Sequence, residues 1–236
     1  METIRSAGNG LATLIHISVD GGTGNDTITG SDGTDTITGG DGNDLITGGR
    51  GNDNLLGGAG GTQVQFTRDI GGVVMDVNGT EAITFNALGG ADRITVHDLT
   101  GTDVTEVNVN LGVPGGGDGS IDSVIVEGSA DADVATVNGD ASGTTVGGLP
   151  AAVSITGAES TDKLAVNTQA GDDVVDATGL SATALQFSAD GGDGDDELLG
   201  GAGDDTLTGG NGDDILIGGP RQVALDGGPG DNIVIQ

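Results

Sequence analysis

The chain has 236 residues, with 37 acidic side chains against six basic ones and a formal net charge of −31. A chain this acidic repels phosphate groups, which excludes nucleic acid and anionic membranes as partners. It contains 50 glycines but no cysteine, tryptophan or tyrosine, which excludes a disulfide framework and an aromatic core. A thin ladder of Val, Ile and Leu remains, as expected of a solenoid whose coils each bury little apolar surface.

Residues 1–20 contain one alternating segment, from Leu14 to Val19, which predicts an N-terminal capping strand. No basic region followed by a long apolar run is present, so a cleaved signal peptide is not evident. No apolar run approaches the length needed to cross a membrane, and we therefore expect no membrane insertion.

Residues 21–56 are four consecutive nine-residue units close to the pattern G-G-x-G-x-D-x-U-x, in which U is aliphatic. The units are GGTGNDTIT, GSDGTDTIT, GGDGNDLIT and GGRGNDNLL. The glycines permit a sharp turn, and the last three positions alternate polar, apolar and polar, which predicts a short strand with one inward side chain. Two units would close one coil, and successive coils would stack as parallel strands about 4.8 Å apart. We expect this first roll to extend over residues 21–66.

The stacking brings the aspartates of alternate units face to face. Two carboxylates about 5 Å apart repel by roughly 3 kcal/mol at an effective dielectric constant near 20. A divalent cation between them removes this repulsion, and calcium suits the position because it accepts six to eight oxygen ligands in flexible geometry. Because the chain has no cysteine and only two histidines, His16 and His97, a zinc or copper site is not expected.

The middle of the chain, residues 67–190, carries a longer repeat. Its copies are DRITVHDLTGTD (92–103), DSVIVEGSADAD (122–133) and DKLAVNTQAGDD (162–173). A repeat of this length is typical of stacked supersecondary units, so we expect a solenoid with larger, mostly ion-free coils. The pattern predicts that Val96, Val126 and Val166 share one core. It leaves open whether the acids in this part also bind calcium, in particular Asp118, Asp122, Asp172 and Asp173.

Residues 191–236 return to the short pattern and predict a second roll with a closing strand. Three good units, GGDGDDELL, GGAGDDTLT and GGNGDDILI, are followed by the frayed GGPRQVALD and the near-copy GGPGDNIVI.

The nonapeptides resemble the RTX, or haemolysin-type, calcium-binding repeats of secreted bacterial proteins. The resemblance implies an all-β, right-handed parallel β-solenoid, with RTX β-rolls at both ends joined by a degenerate β-helix with larger coils. It implies about three to six calcium ions, each held between units n and n+2 by main-chain carbonyls and by the aspartate of both units.

Carried over to this sequence, the resemblance implies three complete sites and one incomplete one. The first site is Gly22, Gly24 and Asp26 with Gly39, Asp41 and Asp44. The second is Ser31, Gly33 and Asp35 with Gly48, Arg50 and Asp53. The third is Gly192, Gly194 and Asp196 with Gly209, Asn211 and Asp214. In the incomplete site, Asp205 would face Val223. Asp214 could also serve a further site with Asn232, whose amide oxygen is a weaker ligand.

The resemblance also implies type I secretion and an extracellular or cell-surface location, where the chain would be a structural or interaction module. Its partner besides calcium would be a cell surface, a matrix or a polysaccharide. Two alternatives stay open. A carbohydrate-active β-helix enzyme or accessory module would have to use Arg93, Lys163 and His97, which are the only cluster of suitable side chains, and we predict no enzyme activity. An ice-binding solenoid would need a regular outward row of threonines such as Thr27 and Thr206.

Overall fold

The computed structural model describes residues 3–5, 16–31, 33–41, 44–50, 53–56, 63–70, 73–76, 82–87, 89–114, 116–221 and 224–236. Within these residues the chain forms 23 β-strands. None of the described residues belongs to a helix that is long and apolar enough to span a membrane. The chain divides into two compact units, Met1–Ala87 with Gly101–Asn108, and Leu88–Thr100 with Val109–Gln236. The boundaries expected after residues 20, 66 and 190 stay predictions.

The first unit contains two parallel sheets whose strands alternate along the chain. One sheet has the order β1 (Thr3–Arg5), β3 (Thr27–Thr29), β5 (Asp44–Arg50), β7 (Gln63–Ile70) and β9 (Ala82–Asn86). The other has the order β2 (Ser18–Asp20), β4 (Thr36–Thr38), β6 (Asp53–Leu56) and β8 (Val73–Asp76). Of the capping strand expected from Leu14 to Val19, residues 14 and 15 lie outside the described residues.

The register of these strands follows the nonapeptide. Ile28 lies opposite Ile46 in β3 and β5, and Ile37 lies opposite Leu55 in β4 and β6. Ile28, Ile37 and Ile46 are fully buried. Each of these three units therefore contributes one inward aliphatic side chain, as the alternation predicts.

The second unit also has two sheets. One is parallel throughout, with the order β10 (Arg93–Val96), β12 (Ser123–Glu127), β16 (Lys163–Asn167), β18 (Gln186–Asp193), β20 (Thr206–Asn211) and β22 (Ala224–Asp226). The parallel strands of the other are β13 (Val134–Asp140), β17 (Val174–Leu180), β19 (Glu197–Leu199), β21 (Ile215–Ile217) and β23 (Ile233–Ile235). Strand β11 (Glu106–Asn110) has residues in both units.

The middle of the chain is a solenoid with long coils. Val96, Val126 and Val166 lie opposite one another in successive strands, and all three are buried. The shared core that the long repeat predicts is therefore confirmed. Equivalent aspartates are separated by 30, 40 and 23 residues in successive coils of this unit, and by 18 residues in the C-terminal roll.

The longest coil contains a departure from parallel pairing. Strand β14 (Gly143–Gly147) pairs antiparallel with both β13 and β15 (Ala152–Thr156). The loop between β13 and β14 is tight, because Asp140 Oδ1 accepts hydrogen bonds from the main-chain N–H and the hydroxyl of Ser142. Such Asp- and Ser-rich turns favour a hairpin. A purely parallel solenoid was expected here, and the inserted meander explains why this coil is longer than its neighbours.

Candidate metal centres

The aspartates at position six of the repeats form ladders along the stack. The main-chain N–H of Asp26 donates to Asp44 Oδ1 at 2.9 Å, across a separation of 18 residues. The N–H of Asp196 donates to Asp214 Oδ1 at 3.0 Å in the same manner. In each pair, one carboxylate oxygen of the aspartate in the later coil therefore accepts a hydrogen bond from the preceding coil. Its second oxygen is left for another partner.

That second oxygen is buried without a hydrogen-bond partner at several of these aspartates. Oδ2 of Asp44, Oδ2 of Asp196 and Oδ2 of Asp214 all lack one, although each residue is at least 96% buried. A buried carboxylate oxygen without a donor carries a large desolvation cost. A bound cation would remove that cost, so these unpartnered oxygens indicate a metal site.

The pKa values of the ladder aspartates also reflect their burial close to other acids. Burial is the main cause that raises the pKa of Asp196 to about 6; the main-chain N–H of Asp173 opposes the shift, and the charges of Asp173 and Asp214 add to it. Burial also raises the pKa of Asp44, and the charge of Asp26 adds to the effect. The turns are therefore poor environments for bare carboxylates, and a divalent cation would reverse this by stabilising the charged forms.

The structure brings together residues expected in the first and third sites. In the first, Gly22 O accepts from Asp41 N at 2.7 Å, and Asp41 O accepts from Gly24 N at 2.6 Å. A carbonyl oxygen has two lone pairs, so these oxygens keep one for a cation. In the third, Gly194 N donates to Asn211 O at 2.8 Å, and Gly192 lies opposite Gly210 in strands β18 and β20.

The second expected site is arranged differently. Oδ2 of Asp35 accepts from the N–H of Ser31 at 2.6 Å, and the Ser31 hydroxyl lies 2.9 Å from Oδ1. Ser31 was expected to supply only a carbonyl ligand, but its side chain and its N–H hold the carboxylate instead. Gly33 and Gly48, the other expected ligands of this site, are buried, whereas the side chains of Arg50 and Asp53 lie outside the described residues.

At the incomplete site, the carboxylate of Asp205 is likewise held by an N–H of its own turn. Its Oδ2 accepts from the N–H of Gly201 at 2.8 Å, and burial raises the pKa of the carboxyl. Val223, expected opposite it, lies outside the described residues. At the next turn of the other ladder, Asn232 Nδ2 donates to Gly227 O and Gly228 O at 2.9 Å, so an amide group holds carbonyls that a cation would otherwise coordinate.

In the longer coils, acids bond to main-chain donors of neighbouring coils. Asp118 Oδ2 accepts from Gly90 N at 2.6 Å, and the N–H groups of Ser120 and Gly90 hold the pKa of Asp118 below its ordinary value. Asp122 N donates to Asp162 Oδ1 at 3.0 Å. These carboxylates stabilise the stack by accepting main-chain hydrogen bonds from neighbouring coils.

The donor set fits calcium. Among the described residues, no three His, Cys, Asp or Glu side chains converge on one point. A cation in these turns would therefore be held by two carboxylates and several main-chain carbonyls, an all-oxygen set of the kind that calcium prefers. Asp26, Asp44, Asp196 and Asp214 are the side chains that would hold it.

These features define a repeat-built parallel β-solenoid with carboxylate-lined, cation-binding turns. A family model described as the RTX calcium-binding nonapeptide repeat (4 copies) matches residues 18–45, 29–64 and 190–220. The chain thus carries RTX repeats in both rolls, and these repeats bind Ca²⁺. The repeat is a structural calcium-binding module and is typical of secreted proteins. No curated protein and no solved structure matches the chain.

The side chains named for the two alternative functions are dispersed. Arg93 and Lys163 lie on either side of Ser123 in one outward row of the six-stranded sheet. His97 Nδ1 lies 2.6 Å from Glu127 Oε2, beside a cavity of about 10 Å³, whereas Lys163 lines a different cavity, of about 280 Å³, to which neither Arg93 nor His97 contributes.

The threonine rows are short in the described strands: Thr29, Thr47 and Thr67 form a row of three, which ends at Arg5 on one side and at Asn86 on the other. Thr27 lies opposite Leu45, and Thr206 lies between Ser188 and Ala224. A flat, regular row of threonines, which ice binding would require, is not formed at these positions.

Proposed function

We propose that the chain is a calcium-folded structural or interaction module of a secreted protein. The observation that carries the proposal is the buried, unpartnered Oδ2 of Asp44, Asp196 and Asp214, each on an aspartate ladder. Without a cation, these oxygens destabilise the fold. With one, they become ligands that tie successive coils together.

We propose one ion at each of the two assembled sites. The first is formed by carbonyls of Gly22, Gly24, Gly39 and Asp41 with Asp26 and Asp44. The second is formed by carbonyls of Gly192, Gly194, Gly209 and Asn211 with Asp196 and Asp214. The Asp35 turn would accept an ion only if the Ser31 contacts opened. The expected stoichiometry of about three to six ions per chain therefore includes turns that must rearrange.

A calcium requirement also suits an extracellular location. Extracellular calcium modules bind with dissociation constants of about 10⁻⁴–10⁻³ M, which leaves them empty at the low calcium level of the cytosol. The net charge of −31 would then keep the chain expanded, a state compatible with type I secretion. Outside the cell, calcium would fold it for contact with a cell surface, a matrix or a polysaccharide.

The test compares the full chain in millimolar calcium, in millimolar magnesium and in chelator. Circular dichroism should show β-structure in calcium and its loss from the rolls in chelator. Hydrogen exchange should show calcium-dependent protection at residues 21–48 and 191–217. Magnesium should not replace calcium, because it demands a tighter octahedral shell and dehydrates reluctantly. Equal protection of both rolls in calcium and in chelator would overturn the proposal.

A further inference from the structure

We propose that residues 168–176 form an additional calcium-binding turn, paired with the turn at 191–196, which neither the nonapeptide pattern nor the family match includes. The segment is TQAGDDVVD, without the two leading glycines of the repeat. The family match begins at residue 190 in this part of the chain. The inference rests on the proposed function and adds a site to it.

The hydrogen bonds of this turn reproduce those of the assembled site in the first roll. Asp193 N donates to Gln169 O at 2.9 Å, Gly171 N to Asp193 O at 2.9 Å, Asp173 N to Asp196 Oδ1 at 2.9 Å and Glu197 N to Asp173 O at 2.8 Å. The equivalent bonds in the first roll are Asp41 N to Gly22 O at 2.7 Å, Gly24 N to Asp41 O at 2.6 Å, Asp26 N to Asp44 Oδ1 at 2.9 Å and Leu45 N to Asp26 O at 2.8 Å. The two sets of bonds correspond although the coil between Asp173 and Asp196 is 23 residues long and the coil between Asp26 and Asp44 is 18 residues long.

The backbone at Gln169 has the conformation that the missing glycine would have. Its φ is +74°, and it is the only non-glycine residue with positive φ in the described part of the chain. Gly22 and Gly192, at the same position of true repeats, have φ of +88° and +104°. Positive φ is unfavourable for a residue with a side chain, so the coil imposes the repeat's turn on a sequence that does not favour it. The Gln169 amide donates to Gly128 O at 2.7 Å, which helps to hold the turn.

Two buried carboxylates face this turn with an unpartnered oxygen each. Asp173 is 1% exposed and Asp196 is 2% exposed, and Oδ2 of both lacks a hydrogen-bond partner. The neighbouring Thr168 hydroxyl donates to Gly191 O at 3.0 Å. In the coil below, by contrast, Asp133 Oδ2 accepts from Ser129 N at 2.7 Å. The fold therefore supplies a main-chain donor to Oδ2 of Asp133, whereas at Asp173 only Oδ1 has one, from Asp133 N at 2.7 Å, and Oδ2 is left without a partner.

The ligand chemistry is that of a hard divalent cation. The Asp173 and Asp196 carboxylates would bind it together with main-chain carbonyls of Gln169, Gly171, Gly191 and Asp193. Six oxygens are within the coordination range of calcium. Because Asp196 also belongs to the site with Asp214, the two ions would occupy successive levels of one ladder.

The test uses the full chain and the variant Asp173→Asn, with Asp172→Asn as the matched control. Both substitutions remove one negative charge from the same turn, and both keep an oxygen that can accept the observed main-chain hydrogen bond. Equilibrium dialysis with calcium should show that Asp173→Asn binds one ion fewer than the wild type, whereas Asp172→Asn binds the same number. In the wild type at a hundred times the dissociation constant, calcium should slow hydrogen exchange of residues 168–176 about a hundredfold. Asp173→Asn should lose this effect and keep the one at residues 209–217.

Two results would overturn the inference. One is an unchanged ion count in Asp173→Asn. The other is exchange of residues 168–176 that is independent of calcium in the wild type, which decides the matter even if the variant does not fold. Hydrogen exchange of residues 209–217 that does not depend on calcium in the wild type would instead contradict the proposed function. The failure of the inference and the failure of the proposed function are therefore distinguishable.

Discussion

Replacing Asp214 with Asn should change stability in opposite directions with and without calcium. Asp214 faces a single acid along its ladder, because the residue below it is Asp196 and the residue above it is Asn232. The Asn side chain keeps an Oδ1 atom that can accept from the N–H of Asp196. The substitution therefore removes one charge and one cation ligand with little other disturbance.

The magnitude follows from the spacing of the coils. Strands β19 and β21 pair in register, which places the two carboxylates on coils about 4.8 Å apart. Full charges about 5 Å apart repel by roughly 3 kcal/mol at an effective dielectric constant near 20, so the variant should gain about 1–3 kcal/mol in chelator. A site filled at a thousand times its dissociation constant contributes about 4.1 kcal/mol, which the variant forfeits. In such calcium it should therefore be less stable than the wild type by about 1–3 kcal/mol.

The assay is hydrogen exchange of residues 196–217, which gives the local opening free energy in each condition. Asp213→Asn is the control, because Asp213 is an exposed neighbouring acid whose Oδ1 accepts from Asp231 N at 2.8 Å. The control should respond to calcium as the wild type does. If Asp214→Asn destabilised the roll equally in calcium and in chelator, Asp214 would be a structural acid and not a ligand.

Three further predictions concern other parts of the chain. Burial raises the pKa of Asp122 from 3.8 to about 6, so the folded state holds this proton more tightly than the unfolded state does. The contribution of Asp122 to stability in chelator should therefore rise as pH falls from about 6 to about 4, by less than about 3 kcal/mol because solvent screens the group. Asp122→Asn should weaken the pH dependence measured by denaturant unfolding at pH 7 and 4 without abolishing it, because the pKa of Asp196 is also raised to about 6. Leu198→Ala, at a fully buried position, should lower the free energy of unfolding by about 2–5 kcal/mol in the same assay. Ile233→Ala, at a position that is 53% exposed, should lower it by less than about 1 kcal/mol, and equal losses in the two variants would contradict the assigned core. Asn232→Asp should increase the number of bound calcium ions in equilibrium dialysis by one, because a carboxylate replaces the amide that now donates to Gly227 O. An unchanged ion count would show that this turn is not a site.

Much of the fold follows from the sequence because its periodicities are physical. An aliphatic residue every nine positions requires a strand at that spacing, and Ile28, Ile37 and Ile46 are accordingly buried in register. The long repeat places Val126 and Val166 opposite each other for the same reason. The meander after Asp140 was not predicted, because its turn residues occur once and contribute nothing to the repeat.

The metal sites are predictable to a lesser degree, because the motif specifies residue types whereas the cation responds to the partners of each oxygen. Asp44 and Asp35 occupy the same motif position, yet Asp44 Oδ2 is unpartnered and Asp35 Oδ2 is held by Ser31 N. That difference depends on hydrogen bonds formed within the folded turn. At Gln169 the motif is lost but the geometry is kept, because main-chain hydrogen bonds across a longer coil impose the turn of the repeat. We therefore expect a calcium-binding turn in this fold to need both the backbone register and a carboxylate oxygen left without a donor, and the glycines of the motif are the usual means of achieving the register.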